Sequence, residues 1–279
     1  MKRLKKKNIP FLVLFIIHSG ILGYSFYKNR NRKLLFAHLM SNIGFAYIFE
    51  YFVLNLFKAY VYRPKVFKMR KFDNIFGAIL SQGIFIPFSA IFITTFQFGW
   101  KVKLLFSVYF SVVEEVFIRL GVYRHNWWKT VYTFILMPGY FKLSDFWYKQ
   151  LCKGNRFVQL VTLYNMTFVT GINLLFVLAK LRKIKFGIGR YHSWNEHFII
   201  VPLYTLVVSF ISTYLIRFKN GWISWLSLLV IRFGFDKLLF TCNLLKSKLT
   251  KLESTYFFSI MTVLAIFYQK LVYGRKKDL

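Results

Sequence analysis

Residues 75–98 read IFGAILSQGIFIPFSAIFITTFQF, and this stretch contains no Lys, Arg, Asp or Glu. A helix needs roughly 20 apolar residues to cross the hydrocarbon core of a bilayer, so a run of this kind is read as a membrane span. The run follows Asp73-Asn74 and is closed by Gly99-Trp100. Working outward in both directions, comparable apolar runs cover about 9–24, 34–57, 104–122, 129–148, 157–179, 197–216, 222–242 and 254–273. The expectation is an all-α integral membrane protein with nine transmembrane helices. Pro138-Gly139 falls inside the fifth and predicts a kink there.

Composition agrees with that class. The 279 residues are 57% hydrophobic and only 18% charged, against about a quarter charged in a typical soluble domain. The net charge of +31 comes from 40 Lys and Arg against nine acids. These basic residues sit in short clusters between apolar runs and form no nucleic-acid-binding motif, so nucleic acid is not expected as a partner. Flanking lysines and arginines snorkel toward anionic lipid headgroups, which are the expected partners. Cys152 and Cys242 lie too far apart in sequence to suggest a metal finger or redox motif.

The first run follows Lys2, Arg3, Lys5, Lys6 and Lys7 and resembles a signal peptide, but no small-residue cleavage site follows it. It reads as a retained helix. With the N-terminus inside, inner flanks carry 22 Lys and Arg and outer flanks 16, so the positive-inside rule favours a cytoplasmic N-terminus and an external C-terminus.

The chain also repeats itself at a spacing of 122 residues. Asp73-Asn74 aligns with Asn195-Glu196, Gly99-Trp100 with Gly221-Trp222, and Glu114 with Asp236. One residue of slippage aligns Asn42 with Asn165 and Glu50 with Asn173. A tandem duplication follows, with a first unit over 1–148 (helices one to five) and a second over 149–279 (helices six to nine). Each unit advances four helices, an even number, so the two are parallel repeats about an axis along the membrane normal.

Glu114-Glu115-Val116-Phe117-Ile118-Arg119-Leu120-Gly121-Val122-Tyr123-Arg124-His125-Asn126-Trp127-Trp128-Lys129 resembles the acid-containing helix, glycine, Tyr/His/Asn segment and tryptophan pair of a family of small multi-pass membrane proteins from spore-forming bacteria, each of about five helices. Asp73-Asn74 and Asn195-Glu196 resemble that family's helix start. The second unit lacks the His-Asn-Trp-Trp segment. The resemblance implies fold and membrane location, without an activity to carry over. A bacterial plasma membrane is the expected location, with an organelle inner membrane as the alternative.

Acids inside spans are costly and usually face the bundle interior, a partner or water. Glu50, Glu114, Glu115 and Asp236 are therefore the candidate ion- or solute-binding residues. Glu115 with Arg119, and Asp236 with Arg232 and followed by Lys237, have the spacing of structural ion pairs. Glu114 and Glu50 have no such local partner. His125, Trp127, Trp128, His192, Trp194 and Glu196 are candidate interfacial contacts. Trp suits headgroup depth, and Glu196 suits a helix N-terminus. His18 and His38, inside apolar runs, are expected to bond neighbouring helices. No metal-site pattern, P-loop, Rossmann glycine run or nucleophile elbow occurs, so neither metal nor cofactor is expected.

The function that follows is non-enzymatic: binding or transport of a small solute, lipid or ion between two repeats. A structural or assembly subunit of a larger membrane complex is the alternative, with membrane-protein partners or self-association. An intramembrane lipid enzyme using His125 or His192 is a minor possibility.

Overall fold

The computed structural model describes residues 8–218 and 221–274; the basic ends, 1–7 and 275–279, lie outside the described residues. Two compact units divide the chain, 1–155 and 156–279.

The first unit begins with α1 (Ile9–Lys28), which has Pro10 in its first turn, where a missing N–H costs nothing. Next comes α2 (Arg32–Glu50), opened by the Asn31 side chain accepting the Leu34 N–H at 3.0 Å. It runs directly into a π-helical turn, Tyr51–Leu56. After β1 (Tyr60–Tyr62), a single rod is built from α3 (Arg70–Leu80), a second π-helical segment (Ser81–Phe85) and α4 (Ile86–Thr95). Pro87 supplies no N–H to the carbonyl four residues back, so the helical ladder cannot pass it in α register; a widened turn precedes it. Gly83 in that turn lets the Tyr47 hydroxyl approach to 2.7 Å of where a Cβ would stand. The unit closes with α5 (Trp100–Arg119), β2 (Tyr123–His125) and α6 (Thr130–Cys152). Pro138 lies within α6, which remains one helix from Thr130 to Cys152.

The second unit contains α7 (Arg156–Lys180), β3 (Ile184–Phe186), α8 (Trp194–Phe218), α9 (Gly221–Thr241), β4 (Leu245–Ser247) and α10 (Lys251–Tyr273). A reciprocal Thr250–Glu253 capping box opens α10. Ser193 and Glu196 exchange the same pair of bonds at the start of α8.

Among the described residues there are thus nine helical rods, and six are long and apolar enough to span: Ile9–Lys28, Arg32–Leu56, Arg70–Thr95, Arg156–Lys180, Trp194–Arg217 and Lys251–Tyr273. The other three are α5, α6 and α9. Their sequences are broken by charge: Lys101, Lys103, Glu114, Glu115 and Arg119; Lys142, Asp145 and Lys149; Arg232, Asp236 and Lys237.

The connections between these rods form two short antiparallel pairs. Tyr60 faces His125 and Tyr62 faces Tyr123; Ile184 faces Ser247 and Phe186 faces Leu245. Both units run helix, strand, helix, helix, strand, helix, with α1 additional in the first. Left-handed residues close matching helices: Lys58 and Arg182 before the first strand, Gly121 and Asn243 before the second.

Candidate functional site

The site lies where α2, α5 and α6 meet the β1–β2 pair of the first unit. Alternate residues of a strand share a face, and in this register Tyr60, Tyr62, Tyr123 and His125 share one. All three tyrosines are buried, whereas Arg124 on the opposite face is exposed. Three backbone N–H groups, from Asn126, Trp127 and Trp128, converge on the Ala59 carbonyl, and the Trp127 indole and Asn126 amide donate to Phe57 and Lys58 carbonyls at 2.7 and 2.5 Å. The His-Asn-Trp-Trp segment therefore caps the carbonyls that the π-helical end of α2 leaves unbonded. Asn74 accepts the Tyr62 N–H at 2.7 Å, and Asp73 accepts the Lys65 and Phe67 N–H groups at 2.9 Å each, which ties the start of α3 to this connection.

Above the strand pair lies a cavity of about 390 Å³. Its walls are mostly aromatic and aliphatic, with Tyr60, Tyr62, Tyr123 and Trp128 at the strand end and Glu114 among them. Phe49 on α2 and Leu136, Gly139 and Leu143 on α6 line the cavity and also keep exposed faces, so the space opens sideways between these two helices.

Two carboxylates serve this end of the unit. Glu114 Oε1 lies 2.6 Å from His125 Nε2, and Glu114 Oε2 accepts the Thr133 hydroxyl at 2.5 Å. Thr133 in turn accepts the Trp128 indole N–H at 3.0 Å. Glu50, 6% exposed, accepts the Tyr60 hydroxyl at 2.5 Å and the Gln82 amide at 3.2 Å on the same oxygen, Oε2; its Oε1 is buried with no hydrogen-bond partner. Burial, joined by both carboxylates, pushes the phenols of Tyr62 and Tyr123 well above the ordinary tyrosine range; burial and then Glu50 do the same to Tyr60.

The structure thus joins Glu114, His125, Trp128 and Glu50 in one place, although the sequence offered Glu114 and Glu50 no partners at helical spacing. Neither pairing read from i, i+4 spacing closes to a contact within 4.0 Å among the described residues, although Arg232 and Asp236 remain near enough to interact electrostatically. Ion pairs within 4.0 Å among the described residues are Lys103–Asp145, His125–Glu114 and Lys183–Glu253. Glu115 instead accepts the Thr130 hydroxyl at 2.7 Å on an exposed face, which it shares with exposed Arg119. Asp236 accepts the Tyr204 hydroxyl at 2.8 Å, and Arg232 turns its Nη1 to the Met261 sulfur at 2.8 Å. In both cases a side chain from a neighbouring helix or connection supplies the partner, where spacing along one helix suggested a charge. Lys237 is exposed.

The remaining candidates are structural in placement. His192 bridges the Lys185 and Asn243 carbonyls at 3.1 and 2.9 Å, packed on Gly187, where a Cβ would come within 2.5 Å of it. Trp194 lies under Lys185, with the ammonium 4.9 Å from its ring centroid, and Glu196 caps α8. Trp127 is exposed. His18 bonds its own helix at Leu14 O, 2.7 Å away, and His38 reaches Ser144 on α6 at 3.1 Å. Among the described residues no three His, Cys, Asp or Glu side chains come together to hold a metal.

Sequence reasoning missed Tyr60, Tyr62, Gln82 and Thr133, and also the Lys103–Asp145 pair (2.5 Å), which Thr94 joins by donating to Asp145 at 2.7 Å. The alternation Tyr60-x-Tyr62 and Tyr123-x-His125 is the signal that could have found the strand face. No family model matches this chain, and no curated protein and no solved structure matches it either.

Proposed function

We propose that this is a multi-pass membrane protein whose first unit binds a small, mostly apolar solute in the cavity above its strand pair, as a step in moving that solute. The observation that carries this reading is the cavity itself: about 390 Å³, walled by aromatic rings, with one carboxylate at its end. Ligand sites have this character, a mainly apolar cleft of at least ~300 Å³ with a few convergent polar groups. The role is read as non-enzymatic.

All nine rods cross the membrane in this proposal. The charges that lower the hydropathy of α5 and α6 are partly satisfied inside the first unit, Lys103 by its ion pair with Asp145 and Glu114 by hydrogen bonds with His125 and Thr133, and such partners reduce the cost of intramembrane charge. The shared element order and the matched left-handed helix ends support a tandem duplication. The Lys and Arg balance supports a cytoplasmic N-terminus in a bacterial plasma membrane, with anionic lipid around the flanks. The likeness of residues 114–129 to the small membrane proteins of spore formers points to the same location.

Gly139→Phe tests the binding site. A Cβ at Gly139 meets nothing within 4 Å, so a ring placed there blocks the sideways opening without a clash at its root. The purified protein is expected to take up a neutral apolar fluorophore in competition with its micelle, and Gly139→Phe to abolish that uptake at unchanged melting temperature. Equal signals from both proteins would remove the cavity as a binding site.

A further inference from the structure

Building on that reading of the cavity, we infer that its solute is an organic cation, a quaternary or protonated amine on an apolar body. The chain carries 40 Lys and Arg and nine acids, yet no Lys or Arg lines the cavity, while Glu114 does. Glu50 stands just behind the wall, joined to it through Tyr60 and Gln82, which both line the cavity. In so basic a protein, an apolar space whose lining carries Glu114 and no Lys or Arg selects against anions.

The donors on these carboxylates orient them. Thr133, Tyr60 and Gln82 are uncharged donors, and His125 Nε2 lies 2.6 Å from Glu114 Oε1. Glu50 Oε1 is buried without a hydrogen-bond partner. The aromatic rings complete the recognition. Tyr60 meets Trp128 edge to face, with centroids 5.4 Å apart and planes at 85°, and its ring lies 5.2 Å from that of Tyr123, which is 5.0 Å from Tyr62. Four aromatic rings, packed on one another at 45° to 85°, line this one end of the cavity, and clustered aromatic rings are the surroundings that recognise alkylammonium groups. A zwitterionic lipid headgroup would bring a phosphate beside its ammonium, and the cavity has no cationic side chain to receive it. The geometry therefore favours a free cation entering between α2 and α6, where Phe49, Leu136 and Leu143 form an apolar mouth.

The test is isothermal titration of the purified full chain in maltoside micelles. The probes are 4-phenylbutyl-trimethylammonium and its neutral isostere, with carbon in place of nitrogen, and Gly139→Phe serves as the blank for micelle uptake. The cation is expected to bind at least roughly tenfold more tightly than the isostere. Glu114→Gln should erase that preference and leave the isostere's affinity unchanged. Trp128→Leu, which leaves both carboxylates in place, should reduce the preference and guards against a Glu114 variant that does not fold. Equal binding of both probes to the native protein, indifferent to Glu114, would overturn the cation assignment and leave the cavity as a binding site. Binding of neither above the blank would remove the binding site together with it. Displacement of the bound cation by a short-chain phosphatidylcholine as effective as displacement by a second alkylammonium would overturn the assignment to a free cation.

Discussion

Tyr60 links backbone and site in a single side chain. Its strand position fixes the ring, its hydroxyl reaches Glu50, and its ring packs beside those of Tyr123 and Trp128. Removing that hydroxyl leaves Glu50 with Gln82 alone. Tyr60→Phe is therefore expected to lower stability by about 1–3 kcal/mol, the usual cost of stranding a buried polar group, measured by unfolding in a mixed-micelle titration. Burial also has a spectroscopic result. A phenol pushed upward keeps its proton in the folded protein, so its contribution to stability is complete below the ordinary tyrosine pKa, about 10, and is lost as pH rises further. Absorbance titration at 295 nm should show the same ionisation amplitude below pH 11 for native protein and for Tyr60→Phe and Tyr123→Phe. A smaller amplitude in either variant would mean that its phenol is open to solvent.

At the scale of elements, glycines decide how closely the strand pair sits on its helices. A Cβ at Gly77 would run into the Tyr62 side chain and would also come within 3.3 Å of Pro64. Gly77→Ala must push β1 off α3, and a destabilisation of about 1–3 kcal/mol is expected from such overpacking. Gly139 is the contrast. It has open space around it, so Gly139→Ala should raise stability by about 0.5–1 kcal/mol through helix propensity alone. Thermal denaturation of the two variants side by side checks both signs. The helices were legible in the sequence because long uncharged runs such as 75–98 have few other readings. The strand pairs were not: three residues inside a basic connection give too short a pattern, and their partners lie far away in sequence. Glu114 and Glu50 were visible as acids in apolar runs, but the donors that hold them come from connections and neighbouring helices. Helical spacing carries no information about those.

For the whole molecule, the number of spans fixes the sides of the two ends. Nine crossings place the termini on opposite faces of the membrane, whereas six would place them on the same face. A C-terminal alkaline phosphatase fusion in bacterial cells should be active and a C-terminal green fluorescent protein fusion dark; the reverse pattern would reject nine crossings with a cytoplasmic N-terminus. The two units also solve one local problem by different means. The third strand residue gives its N–H to Asn74 in the first unit and to His197 in the second, at 2.7 and 3.0 Å. An amide oxygen and an imidazole nitrogen do the same work at corresponding helix starts, a chemical correspondence that residue identity alone conceals.

The shared capping of the two connections in the first unit has a consequence for biogenesis. The carbonyls of Phe57, Lys58 and Ala59 are satisfied by Asn126, Trp127 and Trp128, and Trp127 lies 70 residues further along the chain than Phe57. In the second unit Lys183 likewise waits for Glu253, again 70 residues later. Each connection leaves the ribosome well before its partner exists, so during synthesis it must stay hydrated while the two helical rods between them are made. In a Cys152→Ser background, nascent chains arrested at residue 120 should leave the thiol of Tyr62→Cys open to a membrane-impermeant maleimide, and chains long enough to bring α6 out of the ribosome should protect it. The moment of protection would time the completion of the first unit during translation.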